Sequence, residues 1–261
     1  MSESACPQHV VVAKTQRPAS GEPVASGALP VVGRKSLQAQ AAVQLRLGKR
    51  VLSASEWRGH FISTGMLTAE QMLGVAIHAG EEVTTLFGLT PEGHEALMRT
   101  APTLLAGAAT HLARPLWGSE AKVLSFGVAT GPPHRCEISR IVGAKRGQWW
   151  SPMSQDTLPV EAAAHLEGVI ERGIEKQATD WGLALPAAPK VRVLEGGRPM
   201  PINAVRSEAS SGKSIYVMAR VGVMVEVNLK LQGEWFVGAL RGLGFGRLLA
   251  SRWFDSQGEQ G

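Results

Sequence analysis

The chain has 261 residues, with 27 Lys and Arg against 22 Asp and Glu, a formal net charge of +5 and a pI near 9.5. That length holds one large domain or two small ones, each able to bury a core, and the basic balance favours an anionic partner. Cys6 and Cys136 stand far apart in no CxxC arrangement, which excludes a disulfide framework and a thiolate zinc site.

No apolar run approaches the ~18 residues of a membrane span, and the start MSESACPQH lacks the basic and apolar regions of a signal peptide. The expectation is therefore a soluble, cytoplasmic protein with no membrane partner. Charge is concentrated at the two ends. Residues 1–53 carry seven cations against two carboxylates and residues 190–254 carry ten against four, while 54–115 and 151–189 are acidic. A nucleic-acid surface built from both termini explains that pattern, and ordinary solvated charge explains it as well.

Val10–Ala13 reads as a first strand. A Pro, Gly and Ser-rich loop follows from Gln16 to Gly33, carrying Arg17 and ending in Arg34 and Lys35. Ser36 as N-cap with Leu37, Ala41, Val43 and Leu45 predicts a short helix, so that Arg34 and Lys35 meet unpaired amide groups at its start and form an anion site. Arg46, Lys49 and Arg50 extend the basic surface or solvate the helix end.

Residues 66–114 read as helical. Thr68 and Gln71 form a capping box, with Met72, Ala76, Ile77 and Val83 on one face. Thr90 and Pro91 open a second helix, and Pro102 a third. The whole block, 54–115, is expected to be a helical insertion. His78, His94 and His111 have no metal-ligand spacing and read as core or surface histidines, so neither a metal nor a cofactor is implied.

From Lys122 the pattern is AKVLSFGVA, a GPP turn, then CEISRIVGA, a predicted hairpin. Lys145, Arg146, Trp149 and Trp150 follow, a combination that either stacks bases beside phosphates or anchors a core. Asp156–Gly182 contains the best helix, with Leu166, Val169, Ile170, Ile174, Ala178 and Trp181 at helical spacing. KVRVLEG and SIYVMARVGVMVEVNLKL read as strands, the latter as two strands bent at Gly222, with Tyr216 packed in the sheet. Gly212, Lys213 and Ser214 match the end of a P-loop, but the strand that follows argues against a nucleotide site.

The last stretch, EWFVGALRGLGFGRLLASRWF, places Gly242, Gly244 and Gly246 at alternate positions between Arg241 and Arg247. It reads as helix, glycine loop, edge strand, and the loop can approach a phosphate closely. A tight turn before a last strand is the plainer alternative.

This arrangement resembles the RAMP superfamily, and within it the CRISPR repeat-RNA endonucleases; the helical insertion points to the branch found in type IV systems. The likeness is best over Val217–Phe254 and architectural elsewhere. It implies an α+β chain of two ferredoxin-like (RRM-like) units, the first carrying the helical insertion and the second the glycine-rich loop, with boundaries at 1–150, 151–189 and 190–261. It also implies metal-independent cleavage of a CRISPR repeat RNA hairpin to crRNA, with the product retained in an effector complex with other CRISPR subunits. Members commonly carry a histidine base near the first helix, and Gln16–Leu47 holds none. The catalytic candidates are Arg17, Arg34 and Arg241, with His60 as the fallback base. Lys35, Arg46, Lys49, Arg50, Lys145, Arg146, Trp149 and Arg247 are the RNA-binding candidates. A RAMP-like subunit that caps a ribonucleoprotein without cutting is the alternative, and an enzyme acting on a phosphate metabolite is a third reading.

Overall fold

The computed structural model describes residues 37–47, 52–80, 83–111, 116–145, 149–205 and 214–250, all within one compact unit, residues 35–261. The expected strand at Val10–Ala13 and the loop carrying Arg17 and Arg34 lie outside them.

The first half runs β1 (Gln38–Leu47), α1 (Ala54–Ser63), a 3₁₀ turn (Gln71–Gly74), β2 (Val75–Ala79), β3 (Val83–Gly88), α2 (Pro91–His111) and β4 (Leu116–Lys145). The strand order is β2-β3-β1-β4 with every pair antiparallel. This β-α-β-β-α-β order is the ferredoxin-like arrangement, in which β1 and β3 take the centre of the sheet.

Two expectations change here. Residues 38–47 form a strand, not a helix. Ala41, Val43 and Leu45 alternate into the core while Ala42 is buried on the other face, so pairing with β3 and β4 overrides the helix preference of alanine. The block 54–115 is not helical throughout, because β2 and β3 lie inside it. Its capping box is real: Gln71 Oε1 accepts from Thr68 N at 2.8 Å and Thr68 Oγ1 from Gln71 N at 3.1 Å. It opens only a 3₁₀ turn, which ends at Gly74. There a Cβ would approach Gly93 of α2 to 3.1 Å, so the backbones of turn and helix pass too closely for side chains. α1 opens on a complete capping box of Ser53 and Glu56, and α2 continues through Pro102.

The second half uses the remainder of β4, then α3 (Trp150–Met153), α4 (Val160–Asp180), β5 (Val191–Glu195), β6 (Arg198–Val205), β7 (Ser214–Gln232), β8 (Trp235–Phe236), a 3₁₀ turn (Arg241–Leu243) and β9 (Arg247–Ala250). β9 and β7 flank β4, and β5 and β6 pair with β7. The order β9-β4-β7-β5 repeats that of the first half. Where a second helix would cross back, the chain instead runs through residues 233–246. The expected helix before the glycine loop is thus absent, and the expected edge strand after it is β9.

The predicted GPP hairpin is a single 30-residue strand, β4. Both of its parts pair with β7, and the register shift between Thr130 and His134 takes up Gly131, Pro132 and Pro133 as a bulge. β7 likewise runs as one 19-residue strand through Gly222, whose φ is +70°. α4 lies where expected and buries Leu166, Ile170, Ile174 and Ala178 on the sheet. Phe126 packs against Trp181 and Trp235, each at 4.7 Å between ring centroids.

Arg220 on β7 is fully buried. Its five N–H groups all donate to carbonyl oxygens: those of Met153, Gln155 and Asp156 before α4, and those of Gly196 and Gly197 between β5 and β6. Burial lowers its pKa, and the Asp156 carboxylate opposes that shift.

Candidate nucleic-acid interface

The glycine-rich segment is held at both ends. Gln40 Nε2 and Gln177 Nε2 donate to the Glu234 carbonyl, while Gln40 Oε1 accepts from Glu234 N at 2.8 Å and Gln177 Oε1 from Phe236 N at 2.7 Å. At the far end Val237 N donates to Gly246 O and Gly246 N to Arg140 O. Between these ends Gly238, Gly244 and Gly246 have positive φ, as does Leu240 at +59°, the one non-glycine residue among the described residues to do so. A left-handed leucine costs roughly 1–2 kcal/mol, so the surrounding bonds must impose it.

The segment sits on β2 of the first half. A Cβ on Gly244 would lie 2.5 Å from the Ile77 carbonyl oxygen and 3.1 Å from His78 Cα; one on Gly242 would lie 3.2 Å from Arg58 Nη1. Contact this close is available only to glycine. The two halves of the sheet therefore meet at a seam that combines apolar side chains, among them Phe87 and Phe236, with several cations, two of which are paired to Glu234 and Asp180.

Within this seam Arg58 Nη1 donates to the Met72 carbonyl at 2.9 Å, and burial lowers its pKa. The Arg140 guanidinium lies 4.9 Å over the Phe245 ring, and that of Arg247 4.8 Å over Phe87. His78 is partly buried, with no hydrogen-bond partner for Nδ1 among the described residues. Burial, followed by the charges of Arg247 and Arg140, holds its pKa below the ordinary 6.5, and Glu234 acts in the opposite direction. The imidazole is therefore biased toward its neutral, proton-accepting form beside two guanidinium groups.

The two expected arginines of the glycine loop are both paired. Arg247 makes a bidentate bond to Glu234 at 2.6 and 2.8 Å. Arg241 Nη2 lies 3.6 Å from Asp180, and its buried Nη1 has no hydrogen-bond partner among the described residues. His60 lies on α1 with its ring 6.1 Å from Trp57 and 5.9 Å from Phe61. Arg46 is exposed on β1, opposite Val83 and Gly118. Trp149 is half-buried, stacked on His165 at 4.3 Å and packed on the main core, and Tyr216 is 45% exposed. The backbone of Lys145 ends β4, and its side chain lies outside the described residues, as do Arg17, Arg34, Lys35, Lys49, Arg50 and Arg146. His78, Arg140 and Arg58 are not among the site residues expected from the sequence.

Among the described residues no three His, Cys, Asp or Glu side chains gather as a metal-binding group, and no helix is long and apolar enough to cross a membrane.

Fold and seam together define a tandem ferredoxin-like α+β chain whose second half closes on the first through a glycine-rich loop. No protein-family model matches the sequence, and no curated protein matches it. Solved structures share the fold. Csf5, a CRISPR-Cas type IV Cas6 crRNA endonuclease, aligns with a TM-score of 0.55 at 17% identity over 82% of this chain and all of its own. A Cas6b aligns at 0.53 with 10% identity, and a Cas6 in a product complex at 0.51 with 17% identity, each over 82% of this chain and its own full length.

Proposed function

We propose that this chain is an endoribonuclease that binds the stem-loop of a CRISPR repeat RNA, cleaves precursor crRNA and remains on the product within an effector complex. The observation that carries the reading is the glycine-rich segment laid across β2 with Arg58, Arg140, Arg241, Arg247 and His78 around it, in a fold shared with solved crRNA endonucleases.

In the proposed reaction the 2′-oxygen attacks the adjacent phosphorus and the P–O5′ bond breaks. The 2′-OH proton passes to a base and O5′ receives a proton, giving a 2′,3′-cyclic phosphate and a 5′-OH end without consuming water. Arg17, Arg34 and Arg241 orient the ribose and stabilise charge on the phosphorane, while Lys35, Arg46 and Arg247 hold flanking phosphates. Arg241 can exchange the Asp180 carboxylate for a phosphate, because the 3.6 Å pair is long and one Nη1 is already unpartnered among the described residues. Depressed as it is, His78 is available as a base alongside His60.

Incubating the purified protein in EDTA with a repeat hairpin from its own locus tests the proposal. A single cut ending in a cyclic phosphate, lost in an Arg34→Ala, Arg241→Ala double variant, supports it. Intact hairpin held tightly by the wild type supports the non-cutting capping subunit instead, a reading favoured by the pairing of both loop arginines with carboxylates.

A further inference from the structure

The glycine segment leaves part of the second half uncovered. β9 pairs with β4 only at Cys136–Ile138, and Gly246 N reaches Arg140 O. Beyond that point the same edge of β4, at Val142–Ala144, forms the floor of a groove of about 360 Å³ whose walls are α4 and Gly238–Ala239. Its open edge has no strand partner on that side among the described residues.

α4 divides its charges between its two flanks. Glu167 and Glu171 face β5, where their Oε1 atoms accept from Val193 N at 2.8 Å and Val191 N at 3.0 Å. Arg172 and Lys176 line the groove on the opposite flank, and they are the only two cations between residues 151 and 189. Arg172 is exposed and has no ion pair among the described residues. Lys176 is 61% exposed and touches Asp180 at 3.0 Å. His165 Nε2 donates to the Gly143 carbonyl at 3.1 Å, which fixes one floor group at the end nearest Trp149.

We infer that this groove is a second RNA site, taking the phosphodiester backbone of a single strand that flanks the hairpin. The inference rests on the RNA-processing reading above. Two exposed cations, with Asp180 the one carboxylate paired to them among the described residues, match an anionic polymer. A groove of this size receives one strand.

The test measures binding of a short oligouridine and of the repeat hairpin to the full-length protein across a salt series. Arg172→Ala combined with Lys176→Ala is expected to weaken oligouridine binding about tenfold and to flatten the salt slope by about 0.7 for each phosphate no longer neutralised. For Arg172→Ala alone, which leaves the Asp180 carboxylate shared by Lys176 and Arg241 untouched, hairpin affinity should stay within about twofold. Arg192→Ala is the control: it removes a cation paired with Glu226 at 2.9 Å on the opposite flank, and oligouridine binding should not change. Unchanged oligouridine affinity in the double variant, with thermal melts showing it folded, overturns the inference while hairpin binding preserves the RNA-processing reading. Polyglutamate displacing oligouridine as well as unlabelled RNA does also overturns it, by making the groove a general site for anions or peptides. Failure of the wild type to bind either RNA overturns both proposals.

Discussion

Gln40 on β1 and Gln177 on α4 donate to the same carbonyl oxygen, that of Glu234, at 2.9 and 3.1 Å. Both side chains are fully buried, and each also accepts a backbone N–H from the strand that begins the glycine segment. The two halves of the chain thus each contribute an amide to one point, from which residues 237–246 set out across β2.

Replacing either glutamine by leucine leaves a buried N–H without a partner, at a cost of roughly 1–3 kcal/mol. Because the two share an acceptor, the double variant is expected to cost less than the sum of the singles. Urea denaturation of all four proteins measures the coupling; strict additivity would mean that the two bonds are independent.

Two glycines with similar φ separate conformational cost from crowding. Gly222, at +70°, has nothing within 4 Å of where a Cβ would stand, so Gly222→Ala should cost about 1–2 kcal/mol. Gly246, at +75°, would drive its Cβ into the Val237 carbonyl oxygen, and its alanine variant should be several-fold more destabilising. Melting temperatures of the pair decide this, and equal losses would contradict the packing of the loop.

Arg220 is the side chain whose loss should matter most outside the seam. Lysine offers three donors for five carbonyls, and methionine offers none. Arg220→Met is expected to lose about 3 kcal/mol or more, with Arg220→Lys intermediate. A variant as stable as the wild type would show that the carbonyls find other partners.

His78 and His134 both have pKa values below 6.5, chiefly from burial, with Arg247 and Arg140 adding to the shift at His78 and Lys230 at His134. A depressed folded-state pKa gives stability that is present above about 6.5 and lost as pH falls through the folded value, since the unfolded chain takes up the proton first. His78→Gln and His134→Gln should each therefore reduce the loss of stability between neutral pH and about pH 5. Denaturation at both pH values reads it, and an unchanged difference removes that histidine from the linkage.

The long amphipathic α4 is plain in the sequence because its apolar residues keep helical spacing along the whole element, and the last strand follows from LLA after the final glycine. β1 is hidden because alanine and glutamine favour helix, and only its burial between two neighbouring strands makes it a strand. β2 and β3 read as helix when Met72, Ala76, Ile77 and Val83 are joined across Gly74 and Gly80; the runs VAI and VTT, rich in β-branched residues, carry the strand signal that this joining obscures. The same joining conceals His78, whose proximity to Arg140 and Arg247 arises from the topology of distant strands. Arg241 and Arg247 are visible as cations of a glycine loop, but their carboxylate partners Asp180 and Glu234 are brought in by α4 and the start of β8 and carry no local spacing.

The most direct test of the account is single-turnover cleavage in EDTA of the repeat hairpin, compared with the same hairpin carrying a single 2′-deoxy nucleotide at the cut, with binding measured in parallel. Both RNAs are expected to bind equally, with only the all-ribose one cut. Cleavage of the deoxy-substituted hairpin at the same bond would contradict it.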